Sequence, residues 1–203
     1  LHGAKISFAA HYAAEMARQR MLNRYGMSAY NDGYHVYTTI STELQQVARE
    51  ALIEGLFTYD GRHGYRGPEQ RWPLTDDPDT DSLAYWGDKL RKIPEVAGQT
   101  PAVVTEVLED RVALLLKDGS ASELLWENGM AEVRPYVTEN SRESSPETPQ
   151  ELFTPGDLIR LNSNEQGRWQ LSQIPAAQSA LVSLNPDNGA IVSIVGGMGF
   201  ALS

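Results

Sequence analysis

The sequence contains no cysteine among its 203 residues. Disulfide bonds, a cysteine nucleophile and a cysteine-ligated zinc site are therefore excluded. It also lacks any run of 18 apolar residues, so no membrane span is predicted within it. Basic residues are few: 17 Lys and Arg stand against 27 Asp and Glu, which gives a net charge of −10. Because nucleic acids and anionic membranes are bound through basic surfaces, this balance argues against both as partners.

The overall composition is that of a globular protein. Hydrophobic residues make up 41% of the chain and charged residues 22%, and the length allows one large domain or two small ones, each with a core. The chain starts at Leu1 rather than at Met and stops at Ser203, directly after an apolar run. These ends predict an internal piece of a longer protein.

The N-terminal quarter has the pattern helix, strand, helix. Residues 8–25 are rich in good helix formers and end at Gly26, and the β-branched and aromatic run Tyr34–Ile40 predicts a strand. Ser41 or Thr42 then caps a second helix. For Thr42, Gln45 is the predicted capping-box partner. Helical spacing predicts one buried apolar stripe on this helix, formed by Leu44, Val47, Ala48, Ala51, Leu52 and Leu56.

Residues 60–98 are rich in turn formers and acidic side chains, with a short helix predicted between Asp81 and Lys92. The aromatic residues of this stretch are predicted to anchor it against the rest of the protein, although exposed aromatics would also suit a partner; they are Trp72, Tyr85 and Trp86.

Residues 100–174 predict β structure. Five short strands are expected, over 102–108, 111–117, 120–125, 157–162 and 168–174. Five strands with one interrupting turn near residues 126–136 suit a small Greek-key barrel of the OB type. Residues 138–150 carry no hydrophobic pattern and predict a mobile loop.

The C-terminal segment predicts a β-hairpin. Apolar arms at 179–184 and 190–195 flank an Asn-Gly turn. Both arms are apolar nearly throughout, which is typical of central strands that are covered on both faces. Residues beyond Ser203 are expected to supply the missing cover.

Candidate chemical sites have weak support in the sequence. The four histidines are scattered, the acidic cluster near residue 80 lacks the calcium-loop pattern, and the acids near residue 109 sit at a strand end where acids are common. The glycines near residue 197 lack the Lys of a phosphate loop and instead predict a bend or a close neighbour. The residues considered are His2, His11, His35 and His63; Asp76, Asp77, Asp79 and Asp81; Glu106, Glu109 and Asp110; and Gly196, Gly197 and Gly199.

Three aromatic residues fall in the presumed barrel: Trp126, Tyr136 and Trp169. Exposed aromatics on an OB fold stack on bases or sugars. Trp169 alternates with polar neighbours in its strand, so burial in the core is favoured over a stacking role.

Three sequence blocks resemble the class A penicillin-binding proteins. The hairpin from Ala180 to Gly197 resembles the opening strands of their transpeptidase domain. The run from Gly33 to Leu52 resembles the strand and helix that lead into that domain, and Tyr59–Pro68 resembles a segment typical of the 1A type. The blocks occur in the family's order, and the acidic β region lies where the 1A type carries an inserted OB-like domain.

The resemblance implies an α+β fold in which a small OB-like β-barrel is inserted between a helix and strand linker and the first hairpin of a transpeptidase sheet. It implies four segments: 1–25, a helix that follows the glycosyltransferase domain; 26–97, linker and N-terminal part of the transpeptidase domain; 98–175, the OB-like insertion; and 176–203, the first transpeptidase hairpin. The parent is then an enzyme, a peptidoglycan glycosyltransferase and serine-type transpeptidase located in the periplasm and anchored in the inner membrane.

The same resemblance implies that this stretch is not itself catalytic. The family's transpeptidase uses Ser-x-x-Lys, Ser-x-Asn and Lys-Thr-Gly motifs, and neither Ser-x-x-Lys nor Lys-Thr-Gly occurs here. No catalytic, cofactor or metal residue is therefore assigned. The expected partners are the remaining domains of the parent and an outer-membrane lipoprotein activator that docks on the OB-like domain. The alternative is a stand-alone OB-type module that binds single-stranded nucleic acid or glycan.

Overall fold

Four α-helices and ten short strands run through the part of the chain that the computed structural model describes, residues 10–74, 82–164 and 166–198. The helices are α1 (His11–Tyr25), α2 (Ser28–Asn31), α3 (Thr42–Gly61) and α4 (Ser82–Leu90). The strands are β1 (Gln70–Arg71), β2 (Thr100–Val107), β3 (Arg111–Leu116), β4 (Ala121–Leu125), β5 (Tyr136–Thr138), β6 (Ser141–Arg142), β7 (Asp157–Ser163), β8 (Trp169–Ser172), β9 (Ala180–Leu184) and β10 (Ile191–Gly196). None of the described helices is both long enough and apolar enough to cross a membrane.

The chain divides into two compact units. The central unit is Phe57–Ala176, and the flanking unit combines Leu1–Leu56 with Ala177–Ser203. The central unit is therefore inserted, in sequence, between the two segments of the flanking unit.

An antiparallel sheet forms the frame of the central unit. Its strand order is β1-β7-β2-β3-β4, and β8 also pairs with β7. The five strands predicted for residues 100–174 are confirmed as β2, β3, β4, β7 and β8, each within two residues of its expected bounds. The OB-like arrangement is thus present, but a barrel closed by hydrogen bonds is not, because no ladder joins β4 to β8 in the described residues.

One side of this sheet carries the main hydrophobic core. Burial of these side chains contributes most of the stability of such a small unit, since apolar burial is its dominant favourable free energy. Trp126 and Trp169 pack against the cluster, as expected for Trp169. The buried members are Tyr65, Ala102, Val104, Val112, Leu114, Leu124, Met130, Phe153, Ile159 and Leu161.

Residues that precede β2 cover the opposite side of the sheet. Helix α4 places Trp86 and Leu90 in a second cluster with Trp72, and this cluster packs on Val103 and Leu158 of the sheet. Trp72 and Trp86 therefore anchor the irregular stretch as expected. Tyr85 remains 44% exposed, with the Lys89 ammonium 4.8 Å from its ring centre.

Two ion pairs fasten this covering segment to β7. Arg160 is 4% exposed, and its guanidinium donates to both carboxylate oxygens of Glu69, at 2.8 and 3.1 Å, and to the Pro94 carbonyl at 2.7 Å. Asp157 is fully buried and accepts from Arg71 at 2.6 Å and from the Thr154 amide at 2.8 Å. A buried charge needs such partners to offset its lost hydration.

The structure differs from the sequence expectation in two loops. Tyr34–Ile40 forms no ladder with another described strand, and Tyr37 is 93% exposed. A strand requires a hydrogen-bonded neighbour along its length. This run instead makes isolated contacts: the Tyr34 ring stacks on Tyr25 with centres 4.6 Å apart, and the Thr39 hydroxyl donates to the Ile191 carbonyl at 2.6 Å. Residues 138–150, expected to be a mobile loop, instead carry the β5–β6 ladder and a 3-10 turn at Pro149–Glu151 with a Thr148–Glu151 capping box.

Helix α3 agrees with the prediction at its start and departs from it along its length. Of the two predicted caps, Ser41 and Thr42, Ser41 caps the helix, since the Leu44 amide donates to the Ser41 hydroxyl at 3.4 Å. Only half of the expected stripe is buried: Ala48, Leu52 and Leu56 are, whereas Leu44, Val47 and Ala51 are exposed. The buried face instead includes Gln45, whose side chain bonds a strand rather than its own helix.

In the flanking unit, β9 and β10 form the predicted hairpin, with Gly189 at φ 71° in its turn. Gly196 lies against α1: a β-carbon there would come within 2.9 Å of the Tyr12 ring. The expectation that this glycine accepts a close neighbour is confirmed.

Gly156 offers a sharp test of the contact between the sheet and its cover. A β-carbon at this position would lie 1.9 Å from the Trp72 carbonyl oxygen, and the Gly156 carbonyl accepts from the Trp72 amide at 2.8 Å. Gly156→Ala should therefore lower the free energy of unfolding by about 3 kcal/mol or more, measured by urea unfolding.

Gly67→Ala is the matched control. Gly67 has nearly the same backbone, φ 85° against 91°, but nothing lies within 4 Å of its added carbon. Only the backbone strain of about 1–2 kcal/mol is expected there. Equal losses in the two variants would show that the contact with Trp72 has no energetic role.

Candidate functional site

A buried carboxylate joins the entry and the exit of the central unit. Asp60, in the last turn of α3, is 4% exposed. Its two oxygens accept from the Arg66 guanidinium at 2.7 and 2.9 Å, from the Gln173 amide at 2.7 Å and from the Ala176 backbone amide at 3.1 Å. We call these four residues the Asp60 network. It ties residues 60–66 to residues 173–176, where the chain returns towards β9.

Further hydrogen bonds make the Asp60 network rigid. The Gln173 carbonyl oxygen accepts from the Arg66 amide at 2.9 Å, and its nitrogen donates to the Gly64 carbonyl at 2.8 Å. Arg66 also donates to the Ile174 carbonyl at 2.8 Å. Each polar group of the Gln173 side chain thus has a partner, as a partly buried amide requires.

The short block Tyr59–Pro68 supplies most of this junction. Between Asp60 and Arg66, Gly64 takes φ 97°, and a β-carbon there would lie 2.5 Å from the Arg134 carbonyl. Tyr65 follows in the core, where its ring meets Phe153 edge-on at 6.0 Å and its backbone bonds Arg134 and Tyr136. The glycine therefore lets the chain pass close to residue 134 while its neighbours enter the network and the core.

A cavity of about 330 Å³ lies beside the Asp60 network. Arg134, Arg142 and Glu132 line it, together with Gln173 and the Tyr65 ring. Arg134 donates to the Glu143 carbonyl at 3.0 Å. The cavity thus places the two arginines beside the carboxylates of Asp60 and Glu132.

In the flanking unit, Gln45 closes one edge of the hairpin. Its amide nitrogen donates to the Ile194 carbonyl at 2.8 Å, and its oxygen accepts from the Ile194 amide at 2.9 Å. The Ser41 amide donates to the Val192 carbonyl at 2.9 Å. These bonds occupy both backbone groups of Ile194 and the Val192 carbonyl, on the side of β10 that faces away from β9.

The residues singled out as possible ligands do not gather into one site. The His63 ring packs on Tyr59 at a tilt of 43°, with ring centres 4.4 Å apart, and its Nε2 lies 3.8 Å from Glu139. His11 lies in α1 and His35 in the extended run. No group of three or more His, Asp or Glu in the described ranges has the arrangement of a metal site. His2, Asp76, Asp77, Asp79, Asp81 and Gly199 lie outside the described residues.

The remaining candidates also have separate positions. Glu106 is exposed on β2, Glu109 and Asp110 are exposed in the β2–β3 turn, and Asp110 lies 3.7 Å from Arg111. Gly197 takes φ 62° after β10. Trp126 and Trp169 pack against the core and are partly buried, and Tyr136, in β5, is partly buried as well.

Comparison with known families identifies the central unit. The family model described as the penicillin-binding protein OB-like domain matches residues 65–177, more than half of the chain. The chain belongs to this penicillin-binding protein family.

Individual relatives agree with this assignment over nearly the whole chain. The chain is 42% identical to penicillin-binding protein 1A of Pseudomonas aeruginosa, over 95% of its own length and 22% of the relative's. It is 38% identical to penicillin-binding protein 1A of Escherichia coli, over 98% of this chain and 23% of that protein. The chain thus spans less than a quarter of the length of these relatives, and the expected resemblance to the 1A type is confirmed.

A solved structure gives the same result. The 2.6 Å crystal structure of penicillin-binding protein 1A from Haemophilus influenzae superposes with a TM-score of 0.77 at 36% identity. The match covers 98% of this chain and 28% of that one. The mixed helix and sheet fold with its OB-like unit is therefore shared with a penicillin-binding protein 1A.

The most important junction residues of this penicillin-binding protein segment escaped the sequence analysis. Asp60 and Arg66 lie inside the block that carries the resemblance, but their spacing alone predicts no partner. Gln173 is 113 residues from Asp60. The capping box predicted for Gln45 does not form, because its side chain bonds Ile194. Only the fold brings these residues to their partners.

Asp60→Asn tests the Asp60 network. The change keeps the shape but removes the charge that faces Arg66 and turns an amide donor towards other donors. Breaking a buried pair costs about 3–5 kcal/mol, and because the Arg66 side chain is 29% exposed we expect a smaller loss, about 2 kcal/mol, in thermal or urea unfolding. Asp110→Asn is the control, since its carboxylate is 72% exposed and should matter by less than about 1 kcal/mol. Similar stability of both variants would contradict the junction role.

Tyr65 provides a pH test of the core. Its hydroxyl is buried and finds no hydrogen-bond partner among the described residues. Burial, then the nearby negative charges of Asp157 and Glu69, raises the pKa of Tyr65 far above the ordinary tyrosine value of 10.0. The unfolded state therefore releases this proton near pH 10 while the folded state keeps it, so stability falls as pH rises above about 10.

The Tyr65→Phe substitution removes both the unpaired buried hydroxyl and its ionisation at high pH. At neutral pH its free energy of unfolding should equal that of the wild type or exceed it by about 1 kcal/mol, because an unpaired buried hydroxyl is lost. Above pH 10 the variant should lose less stability than the wild type, measured by urea unfolding from pH 7 to 11. Parallel pH curves for the two proteins would contradict this account.

Proposed function

We propose that the chain is a non-catalytic linker and docking segment of a bifunctional peptidoglycan synthase. Such a synthase combines glycosyltransferase activity with penicillin-sensitive D-Ala-D-Ala transpeptidase activity. In this proposal the parent protein is anchored in the inner membrane and this segment lies in the periplasm. Support comes from the similar proteins, which are named penicillin-binding protein 1A, and from the lack of Ser-x-x-Lys and Lys-Thr-Gly in the sequence.

The Asp60 network is the observation that carries this proposal. It brings residues 60–66 and 173–176 together by hydrogen bonds to one carboxylate. The central unit between them has its own core and its own covered sheet. A unit that starts and ends at one fixed point can be added to another domain without interrupting it, which suits an inserted docking domain.

The two edges of the hairpin support the linker role of the flanking unit. Gln45 and Ser41 occupy the outer edge of β10, whereas β9 pairs only with β10 among the described strands. Val182 and Leu184 of β9 are 53% and 55% exposed. In the proposal, the remaining transpeptidase strands join this hairpin at β9 and cover these side chains.

The proposed partner of the central unit is an outer-membrane lipoprotein activator. Residues 57–176 hold 21 of the 27 acidic residues and 12 of the 17 basic ones, so most of the negative charge belongs to this unit. An acidic surface favours a partner with a basic face and increases its association rate. Binding would change the activity of the synthase only to the extent that the partner prefers one of its conformations.

Affinity capture tests this proposal. The full 203-residue chain, shown to be folded by circular dichroism, serves as bait in a Gram-negative envelope extract, with mass spectrometry as the readout. We expect specific enrichment of an outer-membrane lipoprotein. A matched bait with Glu109→Lys and Asp110→Lys, two exposed turn positions, reports whether the acidic surface contributes to capture.

Two results would contradict the proposal. Folded bait that enriches no lipoprotein would remove the docking role and leave the central unit as a spacer. A covalent adduct with fluorescent penicillin would show that the chain has the acylation chemistry that we assign to the rest of the parent protein.

A further inference from the structure

Two arginines with unused hydrogen-bond donors line the cavity of about 330 Å³ beside the Asp60 network. They are Arg134 and Arg142, and neither guanidinium forms an ion pair with a carboxylate in the part of the chain that the structure describes. By contrast, Arg71 and Arg160 of the same unit each pair with an acidic side chain, at 2.6 and 2.8 Å. The two cavity arginines therefore have donors left for a ligand.

The surrounding backbone positions both arginine side chains. The stem of Arg142 lies over Gly64, where an added β-carbon would come within 3.0 Å of its Cγ and 3.1 Å of its Cδ. The Arg134 Nε donates to the Glu143 carbonyl at 3.0 Å, and the Arg134 carbonyl accepts from the Tyr65 amide at 2.9 Å. Groups that are already held in place lose less conformational entropy when a ligand binds, so this arrangement suits a binding site.

The charge at this cavity is opposite in sign to that of the unit around it. With 21 acidic and 12 basic residues, residues 57–176 carry a net charge of −9. At the cavity, the charge of Asp60 is offset by Arg66, whose guanidinium nitrogens lie 2.7 and 2.9 Å from its oxygens. The exposed Glu132 then stands against the two arginines, which leaves one net positive charge. A ligand with a single negative charge matches this balance, whereas Glu132 would repel a doubly charged phosphate more strongly.

The size and the apolar lining of the cavity favour a small ligand. Its volume of about 330 Å³ is near the lower end of the range for small-molecule pockets, about 300–1,000 Å³. Phe57, Val133 and Leu171 line the cavity together with the charged side chains. Apolar walls with a few polar groups that fix the orientation are typical of such pockets. The arginines suit the charged end of the ligand, because guanidinium groups bind carboxylates through two parallel hydrogen bonds.

We infer that this cavity binds a small ligand that has one carboxylate and an apolar body, as found at the C-terminal end of a short peptide or in a free carboxylic acid. The guanidinium groups of Arg134 and Arg142 donate to the carboxylate oxygens. Val133 and Leu171 contact the apolar body. This inference goes beyond the proposed function, since the site lies within the central unit and requires no docking partner.

The test uses the full chain and two acidic probes, acetyl-Ala-Ala and butyrate. The matched neutral probe is acetyl-Ala-Ala-amide, which lacks the charge. Two-dimensional NMR follows the arginine Nε–H signals and the backbone amides. We expect the Arg142 Nε–H and the amides of Gly64 and Glu132 to shift with the acids, and the neutral probe to bind about tenfold more weakly than acetyl-Ala-Ala. The acid that binds more tightly identifies the source of the carboxylate, a peptide end or a free acid.

Paired substitutions locate the charges that act on the probe. Arg142→Gln removes one guanidinium and should raise the Kd for acetyl-Ala-Ala about tenfold. Arg168→Gln removes the same charge at an exposed position that precedes β8 and does not line the cavity, and it should leave the Kd unchanged. Glu132→Gln removes the acid that repels the ligand and should lower the Kd about threefold, whereas Glu106→Gln, exposed on β2, should not. All four side chains are exposed, so the variants should remain folded, which urea unfolding checks.

Several results would overturn this inference. Equal weakening by Arg142→Gln and Arg168→Gln would show that the overall charge of the chain, rather than the cavity, attracts the probe. Equal binding of the neutral probe would exclude recognition of a carboxylate, and tighter binding of inorganic phosphate than of either acid would exclude a site for a single charge. No shift with either acid, or shifts confined to residues outside the cavity, would reject the site. None of these results depends on the capture of a lipoprotein, so they are separate from the test of the proposed function.

Discussion

The buried carboxylate of Asp60 is the constraint on which the arrangement of the central unit depends. Four donors from three residues, in two parts of the chain, converge on its two oxygens. Separating residues 60–66 from residues 173–176 would therefore take away part of the hydrogen bonding of a buried charge. Such a loss is costly because the group is shielded from water. The Asp60 network thus holds the first and the last residues of the central unit together.

The strand edges of the molecule differ in whether their outward backbone groups are already hydrogen-bonded. On β10, the Gln45 side chain occupies both backbone groups of Ile194. On β9 and on the first half of β4, the outward groups have no strand partner in the described residues. Unpaired backbone groups with exposed apolar neighbours favour strand addition. This physical rule underlies the proposed continuation of the flanking sheet at β9.

The covering segment, which is the part of the central unit before β2, explains why this unit contains residues beyond its strands. Trp72, Trp86 and Leu90 come from residues that precede the first long strand, yet they bury the outer face of Val103 and Leu158. Arg160 and Asp157, both buried on β7, fasten this segment through ion pairs with the more exposed Glu69 and Arg71. A small sheet has two faces to cover, and one core cluster alone covers only one of them. The helix and its flanking turns are part of the OB-like unit for that reason.

The sequence by itself determined the strands of the OB-like unit, the hairpin, the helices from α1 to α4 except the short α2, and the family resemblance. These features depend on local periodicity, turn residues and motif order, which are properties of neighbouring residues. Tertiary structure alone decided that Tyr34–Ile40 forms no ladder, that Gln45 bonds β10 instead of capping its helix, and that Asp60 meets Gln173. It also decided which half of the α3 stripe is buried. Each of these depends on a partner far along the chain, and no local pattern specifies which distant group will occupy a hydrogen bond or cover a face.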